Sequence, residues 1–415
     1  MYKVGFGDCF LVSFVYPGSR RVHMLIDFGT TKAPGGSAGH MLNVANDIRR
    51  ETDGHLDIVV ATHRHKDHIS GFATTTRGDG PGDIIRALSP EVVLMPWTED
   101  PDAEENATKP TKTRSGHAMR RQLDHMHTVA AGALRFSANT SLPVALRSRL
   151  AFLGEDNIKN VAAVRNLQSM GKECRYLYFG ADPELRKVLP GVSVKVLGPP
   201  TLEQSEAIRR QRVTDHSQFW MLTAAAVSSN VVCTNKPLFS RRYMRQDDGI
   251  SEDVRWLTDR LAKTEAEQML GILTVLDNAM NNTSLILLFE VNGKKLLFPG
   301  DAQIENWEYA LSKPKTVAEL KDVAVYKVGH HGSRNATPLD LWNQFAKRSA
   351  DPGRAERLKT LLSTEAGKHG REETHTEVPR GTLVQALKDN SDFHTTEDVA
   401  TGDGAASFED IVVPF

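Results

Sequence analysis

Short apolar, strand-like runs dominate both ends of this chain, and helical texture dominates its middle. Phe10-Leu11-Val12-Ser13-Phe14-Val15 and Val22-His23-Met24-Leu25-Ile26 alternate loosely about a Pro17-Gly18 turn, which predicts two strands. A glycine-rich loop, Pro34-Gly35-Gly36, leads to a predicted helix around 40–51. Leu56-Asp57-Ile58-Val59-Val60-Ala61 and Val92-Val93-Leu94-Met95-Pro96 read as short buried strands. The texture then changes. Residues 98–112 are polar, and the acidic run Glu99 to Glu105 reads as a solvated surface loop. Residues 115–170 and 201–270 look helical. In the second stretch Ser251 is a candidate cap for an apolar face that starts with Val254, Leu257 and Leu261. Strand alternation returns at Val192–Leu197. Ser284–Val291 and Lys294–Phe298 flank Asn292-Gly293, a strong hairpin signal. Val323–Val328 and Leu358–Ser363 are later strands. Strands mixed with helices, with hairpins present, predict mixed α/β layers rather than a purely parallel sheet. No internal repeat of fixed period is present.

Composition narrows the class. With 415 residues, 40% of them hydrophobic and 25% charged, the chain has the make-up of a globular protein with a sizeable core. The formal charge of −1 gives no bulk attraction to nucleic acid, so any such binding needs a local patch. The apolar runs fall far short of a membrane span. Three widely spaced cysteines, Cys9, Cys174 and Cys233, form no disulfide framework, and the expected location is a reducing cytoplasm. Histidine is the informative residue type: there are 15, several of them clustered.

The segment Thr62-His63-Arg64-His65-Lys66-Asp67-His68 follows a buried strand. Imidazole and carboxylate suit zinc and its divalent neighbours, with manganese or iron as alternatives. Alternate residues of an extended segment point the same way, so His63 and His65 can share one ion, with Arg64 and Lys66 directed outward. A turn into helix would carry Asp67 and His68 towards a second position. Asp301 ends the second hairpin strand after a glycine, where a carboxylate can project into a site. Gly329-His330-His331-Gly332-Ser333 follows another strand, and its glycines permit close approach to a metal or an anion. Asp8 and Asp27 also sit beside strands, as turn residues or as supporting partners of ligands. Weaker candidates are His117, Asp124, His125, His127 and Asp215-His216, which a solvated helix face explains as well. Two basic segments, Lys109 to Arg121 (with Lys112, Arg114 and Arg120) and Arg241-Arg242-Tyr243-Met244-Arg245, are either solvated faces or the charge and stacking that hold single strands.

The His-x-His-x-Asp-His run at 63–68, with Asp301, His330 and Asp27, resembles the signature of metallo-β-lactamase-fold hydrolases. A narrower resemblance is to the soluble hydrolase domain of ComEC-type DNA-internalisation proteins. It rests on Val4-Gly5-Phe6-Gly7-Asp8, Ile26-Asp27-Phe28-Gly29, Asn282-Thr283-Ser284-Leu285, Phe298-Pro299-Gly300-Asp301 and Gly329–Ser333, and extends to His375 and Phe393–Thr396. These segments fall within 1–97, 185–200 and 276–400, leaving 98–184 and 201–275 as two mostly helical insertions in one hydrolase domain spanning 1–415. The resemblance implies an αββα sandwich holding one or two divalent ions. It implies His63 and His65 on one ion, Asp67, His68 and His330 on the other, and Asp301 as the bridge. Asp67 would also orient the nucleophile, and His331 or His375 would bind a substrate oxygen or protonate the leaving group. Asp8, Asp27 and Asn282 would support the site. One departure stands out: most two-metal relatives carry a further histidine just before the hairpin, where this chain has Asn281-Asn282-Thr283-Ser284.

The expected activity is hydrolysis by a metal-activated water. The ComEC-like details tilt the substrate towards a phosphodiester, in single-stranded nucleic acid or a nucleotide. The alternatives are hydrolysis of a small ester, thioester or lactone on the same scaffold, or a non-catalytic metal protein that binds a partner. Oligomeric state is not legible.

Overall fold

The computed structural model describes all residues except 38, 102–128, 141, 157–159, 202, 206–251, 334, 369–376, 401–406 and 415. The chain divides into two units. The first comprises Met1–Gly116, Asn160–Ser205 and Ala279–Phe415; the second comprises His117–Lys159 and Glu206–Asn278.

The first unit is mixed α/β and contains two sheets. In one sheet the order is β1 (Cys9–Val15), β2 (Arg21–Phe28), β3 (Ile58–Val60), β4 (Val92–Pro96), β5 (Glu173–Leu177). The β1–β2 pair is antiparallel, and the rest run parallel. The second sheet contains β6 (Val192–Gly198), β7 (Ile286–Val291), β8 (Lys294–Phe298), β9 (Val323–Lys327), β10 (Lys359–Leu362) and β11 (Asp392–Thr395), in the spatial order β11-β10-β9-β8-β7-β6. Here β6–β7–β8 are antiparallel and β8 to β11 parallel.

The apolar runs explain this arrangement. Every residue of β3 and β4 is buried. Strands covered on both faces read as continuous apolar segments rather than as alternating ones. Alternate side chains then divide between two faces. Met24, Ile26, Ile58, Val60 and Leu94 of the first sheet join Leu287, Phe289, Phe298 and Val325 of the second in one shared core. Leu25, Val59 and Val93 face the other way, against Val44 and Ile48 of helix His40–Glu51 and Leu167 of helix Val161–Met170. On the far face of the second sheet, Ile286, Leu288, Leu297 and Tyr326 pack with Trp307 of helix Ile304–Leu311 and Leu387 of helix Gly381–Asn390. The Asn292-Gly293 turn adopts positive φ at both residues, 47° and 77°, as a two-residue hairpin turn requires.

Three findings depart from the expectations. Helix Val161–Met170 and β5 lie in the segment read as the first insertion, yet both belong to the first unit. Strand β5 (Glu-Cys-Arg-Tyr-Leu) buries only Leu177, so it carries no apolar alternation to reveal it. The solvated loop expected from residue 98 onward begins with Thr98 and Glu99 buried. In the second unit the structure describes helix Val144–Asp156 and most of helix Glu252–Asn281, with Leu261 exposed rather than covered. No helix among the described residues is long and apolar enough to cross a membrane.

Phe289 sits in the shared core, edge-on to Phe298 with ring centroids 6.0 Å apart. Phe289→Ala is expected to cost about 3–5 kcal/mol through lost transfer energy and a residual cavity. Denaturant unfolding of the variant checks this.

Candidate metal centre

Most of the chemistry-bearing side chains lie at or just after the carboxyl ends of strands, and Asp8 lies just before β1. Asp27 closes β2, residues 62–68 follow β3, Asp301 follows β8, Lys327 ends β9 ahead of His330-His331, and Ser363 follows β10. The two sheets meet there. Leu285 N–H donates to Thr62 O at 2.9 Å, and Ser363 Oγ donates to Gly7 O at 2.6 Å. The backbones approach closely at Gly29: a Cβ there would lie 2.5 Å from the Asp67–His68 peptide. Any other residue would push the ligand turn away.

Asp27 organises the histidine segment. Its two oxygens accept from Thr62 N–H and Thr62 Oγ, both at 2.7 Å, and from His68 Nδ1 at 2.8 Å. With a proton on Nδ1, His68 presents Nε2 to the site. His331 is held in the same manner: its Nδ1 donates to Ser363 O at 2.9 Å, and its Nε2 faces Asp67 Oδ2 at 2.8 Å. Metal-ligating histidines are regularly fixed through their other ring nitrogen in this way.

Four groups converge. One ligand atom each from Asp67, His68, Asp301 and His331 lie within 4.8 Å of one another, all buried. His68 Nε2 is 3.0 Å from Asp301 Oδ2, and His331 Nε2 is 3.7 Å from the same oxygen. Both Asp67 Oδ1 and His68 Nε2 are buried without a hydrogen-bond partner. Two lone pairs without a hydrogen-bond partner, in a nest of carboxylates and imidazoles, fit a divalent cation. A second group joins His63, His65 and Asp67, with His63 Nε2 and His65 Nδ1 2.9 Å apart.

The electrostatics show how strongly the site calls for positive charge. Burial alone would discharge His68 and His331. The carboxylates Asp301, Asp67 and Asp27 around His68 outweigh it, and hold its pKa well above the usual histidine value. At His331, Asp301, Asp8 and Asp67 likewise outweigh burial and raise its pKa above the usual value. Burial pushes Asp67 and Asp301 up, but His68 and His331, with Lys327 beside Asp301, hold both below the usual carboxylate range. His63 goes the other way: burial, then His68 and His65, push its pKa well down and leave a neutral imidazole able to donate a lone pair.

Among the described residues the geometry favours the other of the two glycine-flanked histidines: His331, read as a catalytic candidate, enters the four-residue group, whereas His330, read as a ligand, belongs to none of the three groups of possible ligands. The cause is backbone geometry. Both residues adopt left-handed φ, 43° and 50°, in the tight turn after β9. That turn buries His331 completely and leaves His330 half-buried, with its Nδ1 3.0 Å from Ser333 Oγ. Asp8 joins Asp27 and His68 in a third group, and pairs with Lys327. The Asn282 amide donates to Glu305 at 2.9 Å, its backbone carbonyl accepts from Asn306, and its Oδ1 is buried without a hydrogen-bond partner. His375 lies outside the described residues, as do the weaker histidine candidates and both basic segments.

Two contributors had no distinguishing signal in sequence. Lys327 is buried between Asp8 and Asp301, although a lysine at a strand end usually reads as solvated. Arg64, expected to face outward, donates from Nε to both oxygens of buried Glu99, at 2.8 and 3.0 Å. That clamp lies between His63 and His65 in sequence and fixes the segment carrying them.

Comparison with known proteins finds no family model that matches this chain, and no curated protein that matches it. The motif resemblance and the geometry therefore carry the functional argument.

The choice between the two histidines is testable. His331→Ala should abolish tight binding of Zn²⁺ or Mn²⁺ in calorimetric titration. His330→Gly should retain it and raise the unfolding free energy, because glycine relieves a left-handed conformation that costs about 1–3 kcal/mol. Loss of metal affinity in the glycine variant alone would restore His330 as the ligand.

Proposed function

We propose that this chain is a metal-dependent hydrolase on the αββα sandwich of the metallo-β-lactamase fold, acting on phosphodiesters of single-stranded nucleic acid or of nucleotides. The observation that carries the reading is the convergence of Asp67, His68, Asp301 and His331 with two orphaned ligand atoms among them. The sandwich is supported by the three cores: one between the sheets, and one between each sheet and its helices.

Asp67, His68, Asp301 and His331 would hold the ion. His63 and His65 would extend the site on the side of Asp67. An ion of this kind, once bound, acidifies its water to a pKa of about 7. The protein's own part is orientation. Asp27 and Ser363 O fix which nitrogen His68 and His331 present. Asp67 offers a second oxygen that the protein leaves without a partner. His330, half-buried and steered by Ser333, is placed to meet a substrate oxygen or to supply the leaving group's proton. The glycines on either side of the histidine pair let an anionic group approach the backbone. That turn, together with the ComEC-like motifs, is what favours phosphodiesters over lactones or thioesters.

Purified protein should contain Zn²⁺, Mn²⁺ or Fe²⁺. It should hydrolyse bis-p-nitrophenyl phosphate and single-stranded DNA, and lose both activities to a chelator. His68→Ala and Asp301→Ala should abolish turnover while leaving the circular dichroism spectrum unchanged. Turnover of a lactone or thioester, with no cleavage of any phosphodiester, would transfer the assignment to that substrate class. Asp27→Asn keeps a residue tolerant of the left-handed φ of 55° but removes the carboxylate facing His68. Its metal affinity should fall by roughly 10–100-fold.

A further inference from the structure

Asp301 was expected to bridge two ions, and its surroundings argue against that. One of its oxygens, Oδ2, faces His68 and His331. The other, Oδ1, accepts from Lys327 Nζ at 3.3 Å and from the His330 backbone N–H at 3.0 Å. Lys327 is itself buried, donates to Gly300 O at 3.1 Å, and forms an ion pair with Asp8. A lysine with an ordinary pKa near 10.4 is a cation at neutral pH, and paired carboxylates keep it so. The place of a second positive charge on Asp301 is therefore already filled by the chain.

The opposite side of the site agrees, by independent observations. The group of His63, His65 and Asp67 does not include Asp301. The histidine expected to complete it is absent from the sequence, where Asn281-Asn282-Thr283-Ser284 stands instead. Only Asp67 is common to the two groups, and the three-residue group offers one ligand fewer than the four buried ligands held by supporting hydrogen bonds.

We infer that Lys327 is a positioning residue that makes this a one-ion centre: its ammonium occupies Asp301 Oδ1 and leaves Asp301 a terminal ligand rather than a bridge. The inference rests on the metal-centre reading above and concerns only the number of ions held. Lys327 contacts Asp8, Asp301 and Gly300 O, and would act through the two carboxylates. Removing its charge leaves Asp8 and Asp301 Oδ1 buried without their shared cation, a deficit that a second divalent ion would fill.

The test is Mn²⁺ loading of the chelator-stripped full-length chain, followed by calorimetry and electron paramagnetic resonance. The wild-type protein should take up one tightly bound Mn²⁺ and show a six-line spectrum of isolated ions up to saturation. Lys327→Gln should take up two, with the spectrum of an exchange-coupled pair. Lys327→Arg, which keeps the charge, should return to one. Two tight ions with a coupled spectrum in the wild-type protein would overturn the inference and leave the metal-centre reading intact. Failure of the wild-type chain to bind Mn²⁺, Zn²⁺ or Fe²⁺ would instead overturn that reading, and the inference with it. A Gln variant that folds and still binds one ion would show that Lys327 does not set the number. Should the Gln variant fail to fold, the wild-type spectrum decides the ion count.

Discussion

Four carboxylates buried around one point, Asp8, Asp27, Asp67 and Asp301, set the terms for the rest of this structure. A buried charge without a partner is among the costliest features a fold can carry. Each carboxylate is met by a group from a distant part of the chain. Lys327 at the end of β9 serves Asp8 and Asp301, Thr62 and His68 serve Asp27, and His331 serves Asp67. The partners come from both sheets, so the site and the packing of the sheets specify one another. A slip of either sheet would cost the core its alternation and leave these carboxylates unpaired. Even so, Asp67 Oδ1 and His68 Nε2 remain unsatisfied by the protein. The arrangement is one that could hold a cation.

The same site concentrates backbone strain. Asp27, His330 and His331 all adopt φ between 43° and 55°, where residues with a Cβ pay about 1–3 kcal/mol each. Aspartate tolerates that region better than histidine does. Two consecutive strained histidines persist because their surroundings fix them. Asp301 accepts from His330 N–H, Ser333 N–H donates to His330 O, and Ser363 O takes the His331 ring. The turn thereby brings one imidazole into the buried cluster and leaves its neighbour at the margin.

Much of this was legible in sequence where a residue's neighbours along the chain decide its place. Strands β3 and β4 announced themselves as unbroken apolar runs, and Asn292-Gly293 announced its hairpin. The spacing of His63, His65, Asp67 and His68 marked the centre, and Asp27 and Asp301 stood out as carboxylates at strand ends. What was not legible depends on partners far away in sequence. Strands β5 and β11 are polar edge strands held by pairing rather than by burial of an alternating face. Nothing near Lys327 foretells that two aspartates from other strands surround it. The choice between His330 and His331 turns on two backbone dihedrals, which no residue-type pattern encodes. Arg64 and Glu99 lie 35 positions apart, so their ion pair could not be read from either local sequence.

That last pair shows how the two halves of the site differ. Asp67, His68, Asp301 and His331 form a half in which negative charge is held by the protein's own cations and by fixed hydrogen bonds. His63 and His65 form the other half, with Asp67 as the shared carboxylate. Its position depends on a largely buried Arg64–Glu99 clamp, where guanidinium and carboxylate match in a fixed fork. Such a pair adds little stability over well-packed apolar residues, because both ions lose their water. Breaking it by removing one partner is costly, since the other charge is then stranded. The clamp therefore serves geometry more than stability: it keeps a two-histidine arm, neutral at His63, against the carboxylate cluster.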